Sequence, residues 1–152
     1  MSDDVVIRDF KVTMLLADAA QYVQGKLYIL GGGWSIIDPG TVSFAVAVNI
    51  QTAWHRADLQ NQFRLELLDS DGNAVVIPTP LGEQPFLVEG GFTAARPDGV
   101  KPGTPLDGGF ALNVVTQLPP NARLEFRMTI NGDSHEEWTL PFTTRAAPST
   151  RS

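Results

Sequence analysis

The sequence predicts an all-β fold, a two-layer antiparallel β-sandwich of about eight or nine strands. Three observations carry this. Apolar side chains recur at every second position along most of the chain. Turn-forming residues separate those runs. No stretch of ten or more residues shows a 3.6-residue apolar period. A half-buried face on most strands needs a second sheet to cover it, which gives two antiparallel sheets packed face to face.

Taken in order, Val12, Met14 and Leu16 share one strand face. Residues 27–30 form a shorter apolar run, followed by Gly31-Gly32-Gly33-Trp34, where the glycines bend or bulge the strand end and let Trp34 turn into the core. In residues 41–50, Val42, Phe44, Val46, Val48 and Ile50 face one way; Thr41, Ser43, Ala45, Ala47 and Asn49 face the other. Phe63, Leu65 and Leu67 make the next strand, closed by the turn Asp69-Ser70-Asp71-Gly72-Asn73. Residues 75–77 and 86–88 are short runs. Phe110, Leu112 and Val114 follow, then Leu124, Phe126, Met128 and Ile130, and last Trp138, Leu140 and Phe142. Asn131-Gly132 is a strong hairpin marker between the final two strands. Residues 54–61 and 95–109, the latter containing Leu106, read as irregular loops, and the chain after 143 lacks periodicity. The expected organisation is one sandwich domain over 1–143 and a flexible tail over 144–152.

A chain of 152 residues has the size of one domain, enough to bury roughly 70% of its unfolded surface. The absence of cysteine removes thiol catalysis, zinc-thiolate sites and iron-sulfur clusters, and leaves the compartment open. The opening Met1-Ser2-Asp3-Asp4 is acidic where a secretory signal is basic, so a leaderless, cytoplasmic protein is expected. Residues 44–48 are among the longest apolar runs, against the about 20 residues a membrane helix needs, so no membrane partner is expected. With 17 acidic and 11 scattered basic residues the net charge is -6, which argues against a nucleic-acid partner.

No motif carries an evident chemistry. The glycine run lacks the lysine and the following helix of a phosphate loop. Asp69, Asp71 and Asn73 resemble calcium ligands, but Gly72 comes too early for that loop, and a hairpin turn explains all three. His55 lies near Asp58, and His135 precedes Glu136 and Glu137; in a strand His135 and Glu137 share a face, yet hydrolytic zinc takes three protein ligands. Neither a nucleophile elbow nor a His-Glu-x-x-His helix occurs. No metal, no other cofactor and no catalytic residue is therefore expected.

Trp34, Trp54 and Trp138, with Tyr22 and Tyr28, suggest a sugar-stacking platform. Trp138 is in phase with Leu140 and Phe142 and so belongs to the core. Trp54 ends an alternating strand and opens the polar segment His55-Arg56, where exposure is expected. Candidate contacts for a ligand or partner are thus Trp54, His55, Arg56 and Leu106. Between residues 27 and 55 the only formal charge is Asp38, and interface cores are depleted of charge. Leu15, Leu30, Leu68, Leu87 and Val115 fall on the opposite phase of their strands, which points to a protein partner or to self-association as a homo-oligomer.

Ala17-Asp18-Ala19-Ala20 and the stretch from Gly25-Lys26-Leu27-Tyr28 through Gly31-Gly32-Gly33-Trp34 resemble the opening signature of an uncharacterised family of small bacterial, mainly actinobacterial proteins. Residues 67–73 and 127–142 are similar to the hairpins of that family and of immunoglobulin-like sandwiches. The resemblance implies an intracellular bacterial, immunoglobulin-like sandwich of unknown role, and supplies no catalytic residue. The leading expectation is a non-enzymatic structural or protein-interaction module. The alternative is a small-ligand or carbohydrate-binding module using Trp54 and the 95–109 loop. A hydrolase with its site around His55 or His135 is the third.

Overall fold

Alternation along the chain builds strands whose inward residues meet across two sheets, as the periodicity predicts. The computed structural model describes residues 8–148. Its strands are β1 (Phe10–Val23), β2 (Lys26–Gly32), β3 (Ile36–Ile37), β4 (Gly40–Thr52), β5 (Asn61–Asp69), β6 (Val76–Thr79), β7 (Gly82–Pro85), β8 (Leu87–Phe92), β9 (Gly109–Leu118), β10 (Arg123–Ile130) and β11 (Thr139–Thr144). One sheet has the order β2-β1-β4-β9, the other β3-β11-β10-β5-β8, and β6 with β7 forms a separate hairpin. Pairing is antiparallel except between β3 and β11. Eleven strands among the described residues exceed the eight or nine expected. The additions are β3, two residues long, and β7, an exposed Gly-Glu-Gln-Pro; neither carries an apolar period.

Val12, Met14 and Leu16 of β1 and Phe44, Val46, Val48 and Ile50 of β4 share one core with Leu65 and Leu67 of β5 and with Leu124, Phe126, Met128 and Ile130 of β10. Phe126 stacks on Phe142 at 5.6 Å and lies 6.2 Å from Phe44 across the sheets. Each such side chain contributes about 1.5–3 kcal/mol on burial. Trp138 is buried in this core and Trp34 packs against it, edge-on to Phe44, both as expected.

The outer face of the first sheet is less simple than alternation suggests. Gly31 adopts φ +63°, and a Cβ on Gly32 would lie 2.7 Å from Ile29 Cγ2, so the chain curls tightly where β2 passes Asp18. This bends the β1–β2 ribbon back over its own sheet. Ala20 and Leu27 then sit on Ala45, Ala47 and Ala111, and Asn113 of β9 donates to the Ala20 carbonyl at 3.0 Å. The small residues of β4 are therefore floored by a second layer rather than by solvent.

Asn131 and Gly132 take φ of 51° and 84° in a tight turn bridging Ile130 and Asp133, as the Asn-Gly pair predicts. The chain then makes a 3-10 turn at Glu136–Trp138 before β11 begins. His135 and Glu137 consequently do not share a strand face: His135 lies edge-on to Trp138 at 4.5 Å, and Glu137 pairs with Arg8. The Asp69 carboxylate accepts the amides of Asp71 and Asn73, both at 2.9 Å, as a turn does.

Thr144 is the last residue of β11 and is buried; its hydroxyl donates to the Pro119 carbonyl and accepts from the Ala122 amide. The acidic opening, residues 1–4, and the last four residues of the tail lie outside the described residues. Among the described residues no helix is long and apolar enough to cross a membrane.

Of the five off-phase residues, Val115 (77% exposed), Leu30 (71%) and Leu15 (39%) face solvent. Leu68 does not: the chain returning from the Asp69 turn bridges it through Ala74, and it is buried. Leu87, paired with Glu66, is half-buried.

Candidate functional site

Strand β4 leaves its sheet at Thr52, and the Ala53 amide donates to the Asp9 carbonyl at 2.8 Å, continuing the β1–β4 ladder by one position. A 3-10 turn follows at Trp54–Arg56. It sets Trp54 and His55 on the wall of a cleft of about 750 Å³, together with Phe10, Lys11, Val12 and Trp138. His55 Nε2 lies 2.7 Å from Asp9 Oδ1, and Arg56 Nε lies 3.9 Å from Asp9 Oδ2. The Arg96 guanidinium stacks on the Trp54 ring at 4.4 Å and donates to the Trp54 carbonyl at 2.8 Å, so one indole face is covered by the 95–109 loop.

Two of the four candidate contacts thus share the cleft. Arg56 turns away: its Nη2 donates to Asn61 Oδ1 at 2.5 Å, and its guanidinium lies 5.7 Å from the Phe10 ring. Leu106 is a correction. It is 2% exposed because it exchanges both backbone bonds with Thr52 at 2.8 Å, which draws its side chain inward and leaves Gly103 and Pro105 on the cleft wall. Asn61 is fully buried between the cleft and the Asn131 turn, and sequence reasoning missed it; an asparagine opening a strand is an ordinary turn signal.

The cleft is bounded by a strand edge that the sheet order conceals. Strand β2 pairs with β1 only from Ala17 onward. Below that point β1 has, among the described residues, β4 on one side alone. The Leu16 carbonyl accepts from the Gly33 amide on the side away from β4, and the Asp9 carbonyl accepts on the β4 side. Backbone groups alternate sides along a strand, so over this length the N–H and C=O of Val12 and Met14 point away from β4, where no strand follows among the described residues. On the facing sheet β11 likewise lacks a second neighbour before Thr143 among the described residues, but there Pro141 removes a donor.

The cleft's charges are largely matched within it. Arg8 pairs with Glu137, and Asp9 faces the Arg56 guanidinium at 3.9 Å and shares a hydrogen bond with His55, while Lys11 makes no salt bridge among the described residues. Thr52, the hydroxyl-bearing residue of the wall, is 1% exposed. Among the described residues no group of three His, Asp or Glu side chains converges as metal ligands. A second surface stands on the ribbon, where Val23 (46% exposed), Tyr28 (56%) and Leu30 (71%) share the solvent face.

Fold and site define a β-sandwich with an aromatic cleft beside an unpaired length of strand. The chain belongs to a family of unknown function, DUF6941, which it matches over residues 12–144, from the third residue of β1 to the end of β11. The expectation of an uncharacterised family holds at that level. No curated protein matches the chain.

Proposed function

We propose that the protein is a non-enzymatic protein-interaction module that accepts an extended segment of a partner on the free half-edge of β1. The carrying observation is that the outward backbone groups of Val12 and Met14 open beside the Trp54 cleft. Strand addition of this kind takes affinity from main-chain hydrogen bonds and specificity from alternate side chains. A residue entering on the Val12 face meets the apolar cleft wall; the next, on the Lys11 face, meets an ammonium without a salt-bridge partner among the described residues. The preferred segment is therefore apolar-acidic-apolar. Covering ion pairs that are already formed costs little where they stay at the solvent rim.

From the family resemblance the proposal also takes a bacterial, mainly actinobacterial source, a cytoplasmic setting and an immunoglobulin-like class of sandwich. A second reading, a small-ligand or carbohydrate site, is favoured by the cleft's size, within the roughly 300–1,000 Å³ of ligand pockets.

Selection of a displayed random 12-residue peptide library on the purified protein tests the proposal. Selected peptides are expected to slow exchange of the Val12 and Met14 amides, and to bind about tenfold more weakly to Trp54→Ala, the loss of one interface anchor. Binders that leave both amides unprotected overturn it. A library without binders, beside an oligosaccharide that quenches Trp54, transfers the cleft to the second reading.

A further inference from the structure

Gln24 and Gly25, with φ of 51° and 76°, make a two-residue turn between β1 and β2. In such a turn the flanking pair, Val23 and Lys26, is hydrogen-bonded. Lys26, Tyr28 and Leu30 therefore aim their backbone groups at β1, and Leu27 and Ile29 aim theirs at the free side of β2. Ala20 confirms the phase from the other strand. Its N–H and C=O both meet the Asn113 side chain, at 3.5 and 3.0 Å, and so point away from β2; the alternation that turns Leu16 towards Gly33 breaks at Asp18, opposite Gly31, where the β1–β2 register is interrupted.

We propose that β2 pairs antiparallel with β2 of a second copy, about a two-fold axis at Tyr28. An edge that pairs with itself is self-complementary, and closed two-fold dimers are the commonest homo-oligomers. In this register Leu27 and Ile29 exchange main-chain bonds with the second copy's Ile29 and Leu27. Tyr28 meets its symmetry mate in the close, non-hydrogen-bonded arrangement. Leu30 lies opposite the second copy's Lys26 and covers its methylene stem. The ladder ends there, because Gly31 leaves strand geometry at φ +63°.

Charge selects this edge for a second copy. Two chains of net charge -6 repel, and β2 itself carries no acid: residues 26–32 hold Lys26 as their one charge, and the Asp18 carboxylate of β1 lies against Gly31, where the ladder ends. The other edges are less open. Strand β9 is flanked by Val76, Pro78 and Glu83 at one end and by Tyr22 at the other. Strand β8 carries Glu89 with Gly90 and Gly91, β11 carries Pro141, and β3 has two residues. The solvent face that the dimer would cover is the one with exposed Val23, Tyr28 and Leu30.

The chain contains no cysteine, so a Tyr28→Cys variant cross-links only to its own copy. Opposed residues of a non-hydrogen-bonded antiparallel pair have Cα atoms about 4.5 Å apart, within disulfide range. Under mild oxidant at low micromolar concentration, Tyr28→Cys is expected to become a covalent dimer nearly completely. Val115→Cys, on β9 and 77% exposed in the parent, is the control expected to stay single.

A charge pair then tests the register. Leu30→Lys places like charges opposite each other twice per dimer and should weaken association about fivefold to tenfold, whereas Leu30→Glu faces Lys26 and should leave it equal or tighter. Light scattering reads both. A single-chain mass for the parent at 100 µM, equal cross-linking of the two cysteine variants, or the same direction of change for both Leu30 variants overturns the proposal. Trp54→Ala lies outside this interface and leaves the dimer intact, which keeps failure of the peptide site separate.

Discussion

At the scale of single residues, legibility followed the phase of the side chain. Trp138 could be placed in the core because it shares a period with Leu140 and Phe142. Trp54 could be placed at a surface because alternation stops there. Leu106 and Arg56 escaped that logic, since each lies in irregular backbone where no period says which way a side chain points. Asn61 is the clearest omission. Its carboxamide oxygen accepts from Arg56 and from Asn131 Nδ2 at 3.1 Å, its nitrogen donates to the Leu59 carbonyl at 3.1 Å, and Asn131 Oδ1 accepts the Gln62 amide. This buried network joins the 3-10 turn of the cleft to the start of β5 and the Asn131 turn. Arg56 Nε is already buried without a hydrogen-bond partner, so removing the Asn61 acceptor leaves the guanidinium further unsatisfied. Asn61→Ala is expected to cost about 2–3 kcal/mol, the scale of a lost bond to a charged group. Asn61→Asp keeps an acceptor for both donors and should recover most of that loss. Urea denaturation of the two variants measures the difference; equal losses would show that packing volume, not hydrogen bonding, holds Asn61 in place.

At the scale of elements, the long strands were legible and the short or exposed ones were not. Strands β4 and β10 announce themselves through five and four in-phase apolar residues in sequence, while β3 is too short for a period and β7 has no apolar face to show. The ribbon bend was visible only as the glycine run at 31–33. The alanines it covers give no signal of their own in the sequence, because alanine is compatible with water and with a close-packed layer alike. A half-paired strand has no sequence signature, since the pairing of β1 changes at Ala17 within one unbroken strand. Amide exchange makes the division measurable. Thr13 and Leu15 direct their amides to Asn49 and Ala47 of β4, and should exchange only through opening of the sheet. The amides of Val12 and Met14 point to the unpaired side and should exchange at least about a hundredfold faster, the factor that close to 3 kcal/mol of opening free energy represents. Uniform protection across residues 12–15 would mean that the half-edge is already occupied, and would remove the site proposed for the partner segment.

At the scale of the molecule, sequence periodicity established that two sheets face each other without saying which strands are neighbours. The orders β2-β1-β4-β9 and β3-β11-β10-β5-β8 depend on the particular shapes that meet in the core. Phe126 is central to that meeting. It is fully buried on β10, stacked on Phe142 of its own sheet, 6.2 Å from Phe44 of the other, and 5.5 Å from Phe86 where the chain enters β8. One cluster therefore spans both layers, and neither sheet keeps its buried face once the other detaches. Unfolding should be a single transition, with tryptophan emission and far-ultraviolet circular dichroism changing together. The emission is informative here because Trp34 lies between β2 and β3 and Trp138 at the entry to β11, so it reports on both sides of the sandwich. Phe126→Ala is expected to lower stability by about 3–5 kcal/mol through lost transfer energy and a residual cavity. Against a total of about 5–15 kcal/mol for a domain of this size, that is a substantial share. If the core acts as one unit, the variant shifts both probes to the same lower urea midpoint with an unchanged denaturant slope. Two separated transitions, with only one displaced by Phe126→Ala, would instead show that the bent β1–β2 ribbon or one sheet unfolds independently of the shared core.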